Sequence, residues 1–68
     1  MQNFEIGITE IAHAYIVVKA ATKEEAVEKL RKWYETNEGF ERINELLQES
    51  ILDWEVTTVG RTDEEAEV

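Results

Sequence analysis

Few side chains in this 68-residue chain could take part in bond-making chemistry. There is one imidazole, His13, one serine, Ser50, and no cysteine. No Ser–His–acid triad or Cys–His pair can be assembled from that inventory. Glu10 and His13 lie close in sequence and could serve as two metal ligands or as an acid–base pair. One imidazole and one carboxylate do not complete a site, and a solitary loop histidine is ordinarily just solvated. Glu24 and Glu28, one helical turn apart, could hold a hard cation. The nearby Lys29, Arg31 and Lys32 make a charge-paired surface the simpler reading. A carboxyl acting as general acid needs an apolar pocket to raise its pKa, and the inward positions predicted below are all apolar. We therefore expect no catalytic residue, no metal and no cofactor: the chain does not read as an enzyme.

What remains is charge. The chain carries 16 acidic against 7 basic residues, a formal net charge of -9, with pI ≈ 4.4. It will not hold nucleic acid or an anionic membrane through a general basic surface. Residues 1–60 alone carry 12 acids against 6 bases. On a helical wheel Glu38, Glu45 and Glu49 fall within about 40° of one line, with Glu41 about 40° further round at ~100° per residue. Their axial spacings are about 4.5–6 Å at ~1.5 Å per residue, close to the separation of successive phosphates. This edge is the candidate partner-binding site, able to occupy a basic nucleic-acid channel. The plain alternative is the solvated face of an acidic protein.

Three segments alternate like strands and two repeat like helices. In residues 4–10, Phe4, Ile6 and Ile8 take one face, with Glu5, Gly7 and Thr9 between them. In residues 14–20, Ile16 and Val18 oppose Tyr15, Val17 and Lys19. Placing Phe4 opposite Ala20, Ile6 opposite Val18 and Ile8 opposite Ile16 brings every inward residue onto an inward residue. It also sets Glu5 across from Lys19 and leaves 11–13 as the tip. A one-residue slip would put core residues in solvent. Gly7 marks either a bulge or close approach, or a tolerated small residue on the open face.

Thr22 and Glu25 form a capping box, the Glu25 side chain reaching back to the Thr22 N–H. Ala26, Val27, Leu30, Trp33 and Tyr34 then share one helical face. Glu25 with Lys29 and Glu28 with Lys32 are favourable pairs one turn apart. Asn37 and Gly39 suggest a left-handed cap, so this helix should end near Thr36. A second helix is expected over 40–50, with Phe40, Ile43, Leu46 and Leu47 as its apolar stripe. Strand character resumes over 51–59, with Leu52, Trp54 and Val56 on one face. Trp33 and Trp54 read as core volume. Residues 61–68 are polar and without period, and are expected to be a disordered acidic tail.

The expected fold is α+β: one two-layer β-β-α-α-β domain over residues 1–60, a three-stranded sheet with two helices packed on one face. The pattern does not fix strand order. The third strand pairs with the first, in parallel if the helices run up and down, or with the second. The first strand at the centre is the preferred arrangement. Residues 1–5 lack a basic stretch leading into an apolar one, and the apolar run at 15–18 is too short to span a membrane. A cytoplasmic location is the expectation.

The stretch Phe4-Glu5-Ile6-Gly7-Ile8-Thr9-Glu10, then Val17-Val18-Lys19-Ala20, then Glu24-Glu25-Ala26-Val27-Glu28-Lys29-Leu30 with Tyr34 after it, resembles the small DpnD/PcfM-like domain. The resemblance covers residues 3–36 and departs at the helix-like segment 40–50. It implies an origin on a phage or other mobile element, in a restriction-modification or conjugative setting, and carries over no functional residue. The combined expectation is a non-enzymatic inhibitor that docks on a basic, nucleic-acid-binding surface of a host defence complex. The alternative is a structural or assembly module, homo-oligomeric through sheet edges and an open face bearing Tyr15, Val17 and Val59.

Overall fold

The computed structural model describes residues 1–9, 13–47 and 54–68. Strand β1 (Gln2–Thr9) pairs antiparallel with β2 (His13–Ala20), and helices α1 (Lys23–Tyr34) and α2 (Asn37–Leu47) follow before β3 (Glu55–Arg61). The sheet order is β2-β1-β3. This is an α+β fold with the first strand central. The third strand pairs antiparallel with β1, not parallel.

Alternation of apolar and polar residues sets which face each strand residue takes, and the two-layer core follows from it. Phe4, Ile6, Ile8, Ala14, Ile16, Val18 and Ala20 are all buried and meet Ala26, Leu30, Ile43 and Leu47 of the helices. The register differs from expectation by two residues: Phe4 faces Val18, Ile6 faces Ile16 and Ile8 faces Ala14. A slip of two preserves the face of every residue, so hydrophobic alternation alone cannot detect it. The consequence is local. His13 belongs to β2, opposite Thr9, and Glu5 lies across from Val17 while Lys19 lies across from Asn3.

Thr22 caps α1 as its sequence dictates, its Oγ1 accepting from the Glu25 N–H at 3.1 Å. The Glu25 carboxylate returns to the N–H of Ala21 (3.3 Å), one residue before the expected one. The helix ends at Tyr34 with Glu35 in right-handed geometry (φ -74, ψ -11), so no left-handed cap forms. Asn37 and Gly39 instead lie in the first turn of α2, which starts three residues earlier than the apolar stripe suggested. Thr36 makes the tight junction possible. Its hydroxyl donates to the Trp33 carbonyl (2.6 Å) and accepts from the Gly39 N–H (3.0 Å), closing one helix and capping the next. Gly39 is buried, and a Cβ there would collide with the Trp33 carbonyl oxygen. The glycine lets the two helices touch.

Trp54 is buried, its ring edge-on to Tyr34 at 5.1 Å and beneath the Arg31 guanidinium. Trp33 is partly buried against the same core. In β3 the pairing shifts between Gly7 and Ile8: Val56 faces Ile8, yet Thr58 faces Gly7. Thr57 is therefore an extra residue, a β-bulge. The bulge turns Val59 to the inner side, opposite Ile6 and against the core, and not onto the open face as expected. Gly7 sits beneath this irregularity, because a Cβ would strike Thr58 Oγ1. The expected Leu52 strand position and the end of the second helix at Ser50 lie outside the described residues.

The polar segment expected to be disordered is hydrogen-bonded to the sheet. Arg61 closes β3, and the Thr62 N–H donates to the Asn3 carbonyl at 3.0 Å. Asn3 Nδ2 donates to the Glu64 carbonyl (2.8 Å). The segment then reaches the far side of the sheet, where Lys19 N–H donates to the Val68 carbonyl at 2.9 Å. Glu67 and Val68 both donate to the Val17 carbonyl (2.8 and 3.2 Å). Composition predicts disorder where little can be buried; here Val68 on the core and one ion pair, described next, supply anchors that composition does not reveal.

Candidate functional site

The buried stripe of α2 runs through Gly39, Ile43 and Leu47. A helix seated by that stripe must turn the opposite side outward, and Glu38, Glu41 and Glu45 are exposed there. The fourth member of the expected edge, Glu49, lies outside the described residues, as does Glu10. Among the described residues Glu38 and Glu41 have no cation within ion-pair distance, and the Glu45 side chain is 75% exposed.

Arg42 is the one base of α2, and it is already engaged. Its Nη1 lies 3.2 Å from Glu45 Oε1. Its Nε donates to Glu67 Oε2 at 2.6 Å and its Nη2 to Glu67 Oε1 at 3.4 Å, a two-pronged contact with the C-terminal segment. The hydrogen bond and charge of Glu67, then the charge of Glu45, raise the guanidinium pKa above its ordinary value. Arg42 thus neutralises the flank of the acidic face and leaves its centre uncompensated. The Arg42–Glu67 contact spans 25 residues of sequence, and no local pattern announces it.

Elsewhere the candidates resolve into ordinary surface. Glu28 and Lys32 are paired at 3.0 Å on the exterior of α1. Lys29 sits 4.0 Å from Glu25 and donates to the Lys19 carbonyl at 2.8 Å. The structure does not bring Glu24 and Glu28 together with a third ligand: among the described residues no group of three or more His, Cys, Asp or Glu could hold a metal ion. His13 is exposed, its Nδ1 hydrogen-bonded to the Thr9 hydroxyl and its ring edge-on to Tyr15 at 5.2 Å. Thr57 joins this set, near Thr9 Oγ1 (3.3 Å) and donating to the Gly7 carbonyl (3.2 Å). Sequence reading missed the cluster because the register that assembles it differs by two residues from the expected one.

Open clefts among the described residues include one of about 540 Å³ lined by Gln2, Asn3, Arg61, Thr62 and Asp63, and another of about 310 Å³ beside Arg31, Tyr34, Glu35 and Trp54. Neither is lined by Glu38, Glu41 or Glu45, which stand exposed on the outside of α2. An exposed, charged helix face outside these clefts suits a macromolecular surface more than a small ligand, which needs enclosure. Among the described residues no helix is long and apolar enough to cross a membrane. Comparison with protein-family models, with curated proteins and with solved structures found no match.

Proposed function

We propose that this chain is a small, non-enzymatic acidic binding protein that presents α2 to a basic, nucleic-acid-binding surface of a protein partner, in the manner of a nucleic-acid mimic. The single observation that carries this reading is the exposed row Glu38, Glu41 and Glu45, opposite the buried stripe and neutralised only at its flank by Arg42. A rigid helix spaces these carboxylates, so their separation is preset before binding. A mobile-element setting, with inhibition of a host defence complex as the role, is part of this proposal. It rests on small size, acidity and the resemblance read from residues 3–36, which no family model matches. Binding of nucleic acid by the chain itself has no support in its charge.

The test uses a partner captured from host lysate, followed by competition. Duplex DNA or RNA should displace the chain from that partner, and raising salt should weaken the complex, since exposed charges act over about 8 Å at physiological ionic strength. Reversing Glu38, Glu41 and Glu45 to Lys should lower affinity by about tenfold, as each exposed ion pair contributes ~0.2–1 kcal/mol. A complex indifferent to salt, to nucleic acid and to these reversals overturns the reading.

A further inference from the structure

The two edges of the sheet are protected by different means. The β3 edge carries its own bulge at Thr57 and Thr58, with Glu55 and Arg61 at its ends; bulges and edge charges spoil a strand as a template for another chain. Strand β2 has no bulge: its eight residues pair with β1 without a register shift. Its edge, HAYIVVKA, carries a single charged residue, Lys19, whose carbonyl the Lys29 ammonium meets. Such an edge invites a further strand.

What occupies it is the chain itself, and only in part. Lys19 N–H and the Val17 carbonyl are bonded to Glu67 and Val68, while among the described residues no hydrogen bond from this segment reaches Tyr15 or His13. The occupying segment is held by few anchors: these backbone bonds, Val68 against the core, and the Arg42–Glu67 pair, whose side chains are 37% and 35% exposed. Few buried contacts and a part-exposed ion pair place such a segment among the parts of a protein that open first.

We propose that residues 66–68 are a releasable guard on the β2 edge, latched by Arg42–Glu67, and that the edge, once released, pairs with β2 of a second copy of this chain. The residues of β2 favour that occupant. With Val17 on the two-fold axis of an antiparallel pair, Tyr15 lies across from Lys19 of the second copy, Ile16 across from Val18, and no like charges meet. The apolar inner faces of the two sheets then become continuous. This stands apart from the acidic-face reading, because it rests on the sheet edge and on backbone hydrogen bonds.

The 68-residue chain tests it with Arg42→Gln, Glu67→Gln and the double exchange Arg42→Glu/Glu67→Arg, by amide hydrogen exchange and by light scattering on a sizing column. At concentrations where the chain is monomeric, either single substitution should speed exchange at the Lys19 amide by about tenfold, and leave Ile16, deep in the β1–β2 pair, protected. Mass should shift from monomer to dimer with rising concentration. The double exchange restores the pair with its polarity inverted, and should return both readouts toward wild type. Unchanged Lys19 exchange in both single variants at monomeric concentration overturns the latch. Fast Lys19 exchange in a chain that stays monomeric at every concentration overturns the second copy as occupant.

Discussion

The two helices are alike on the inside and unlike on the outside. Both turn a narrow buried stripe inward, Ala26 and Leu30 in α1, Gly39, Ile43 and Leu47 in α2. On its outer side α1 alternates its charges: acids in the first turn, bases in the last, and two Glu–Lys pairs one turn apart. That arrangement suits the helix dipole and favours an isolated helix. Helix α2 has Glu38 in its first turn and no base in its last. Glu38, Glu41 and Glu45 repeat at the three- and four-residue spacings that bring like charges together. The acidity of the chain is therefore unevenly placed, since the adjacent helix α1 is balanced and α2 is not. Self-repulsion on one helix face is what a surface made for a basic partner would carry.

The largest effects should come from the inside, where the helices are equivalent. Leu30 and Ile43 are both fully buried, and truncating either to Ala should cost about 2–5 kcal/mol in urea denaturation. A near-neutral Ile43→Ala would mean that α2 is loosely attached, and its carboxylates would then lack the rigid mount the proposed function needs.

The seam between the helices comes next. Gly39→Ala places a methyl group where the Trp33 carbonyl oxygen lies, and should cost about 1–3 kcal/mol as the helices part. Gly60→Ala is the control, because nothing lies within 4 Å of a Cβ there, and it should stay within about 0.5 kcal/mol of wild type. Equal melting temperatures for the two variants would show that the close approach is not structural.

These cases mark what could be read from the residues and what could not. The faces of β1 and β2, the Thr22 cap and the outward row on α2 were legible, because each follows from a short-range period or a local hydrogen bond. The absolute register of β1 and β2 was not, since a slip of two leaves every face unchanged. Gly39 carried the chemistry of a helix stop, but Thr36 three residues before it carried the chemistry of a start, and the contact with Trp33 decided between them. The Thr57 bulge and the Arg42–Glu67 latch depend on partners 50 and 25 residues away in sequence, so no local pattern exposes them. For the candidate site, position was legible and its neutralised flank was not.

The smallest effect is the most direct measure of the contrast between the helices. Glu28→Gln removes one half of an exposed pair with Lys32 and should destabilise by about 0.2–0.5 kcal/mol. Glu41→Gln removes a carboxylate that has Glu45 one turn away and no cation partner among the described residues, so it should be neutral or stabilise by about 0.2–0.5 kcal/mol. Salt separates the two further. Screening weakens an attractive pair and relieves a repulsive one, so the difference between the variants should shrink as ionic strength rises. Urea denaturation of wild type and both variants at low and high salt measures this, with the sign of each change more informative than its size. If Glu41→Gln destabilises as much as Glu28→Gln, the outer face of α2 is as well compensated as that of α1, and the case for an acidic face held in reserve for a partner loses its physical basis.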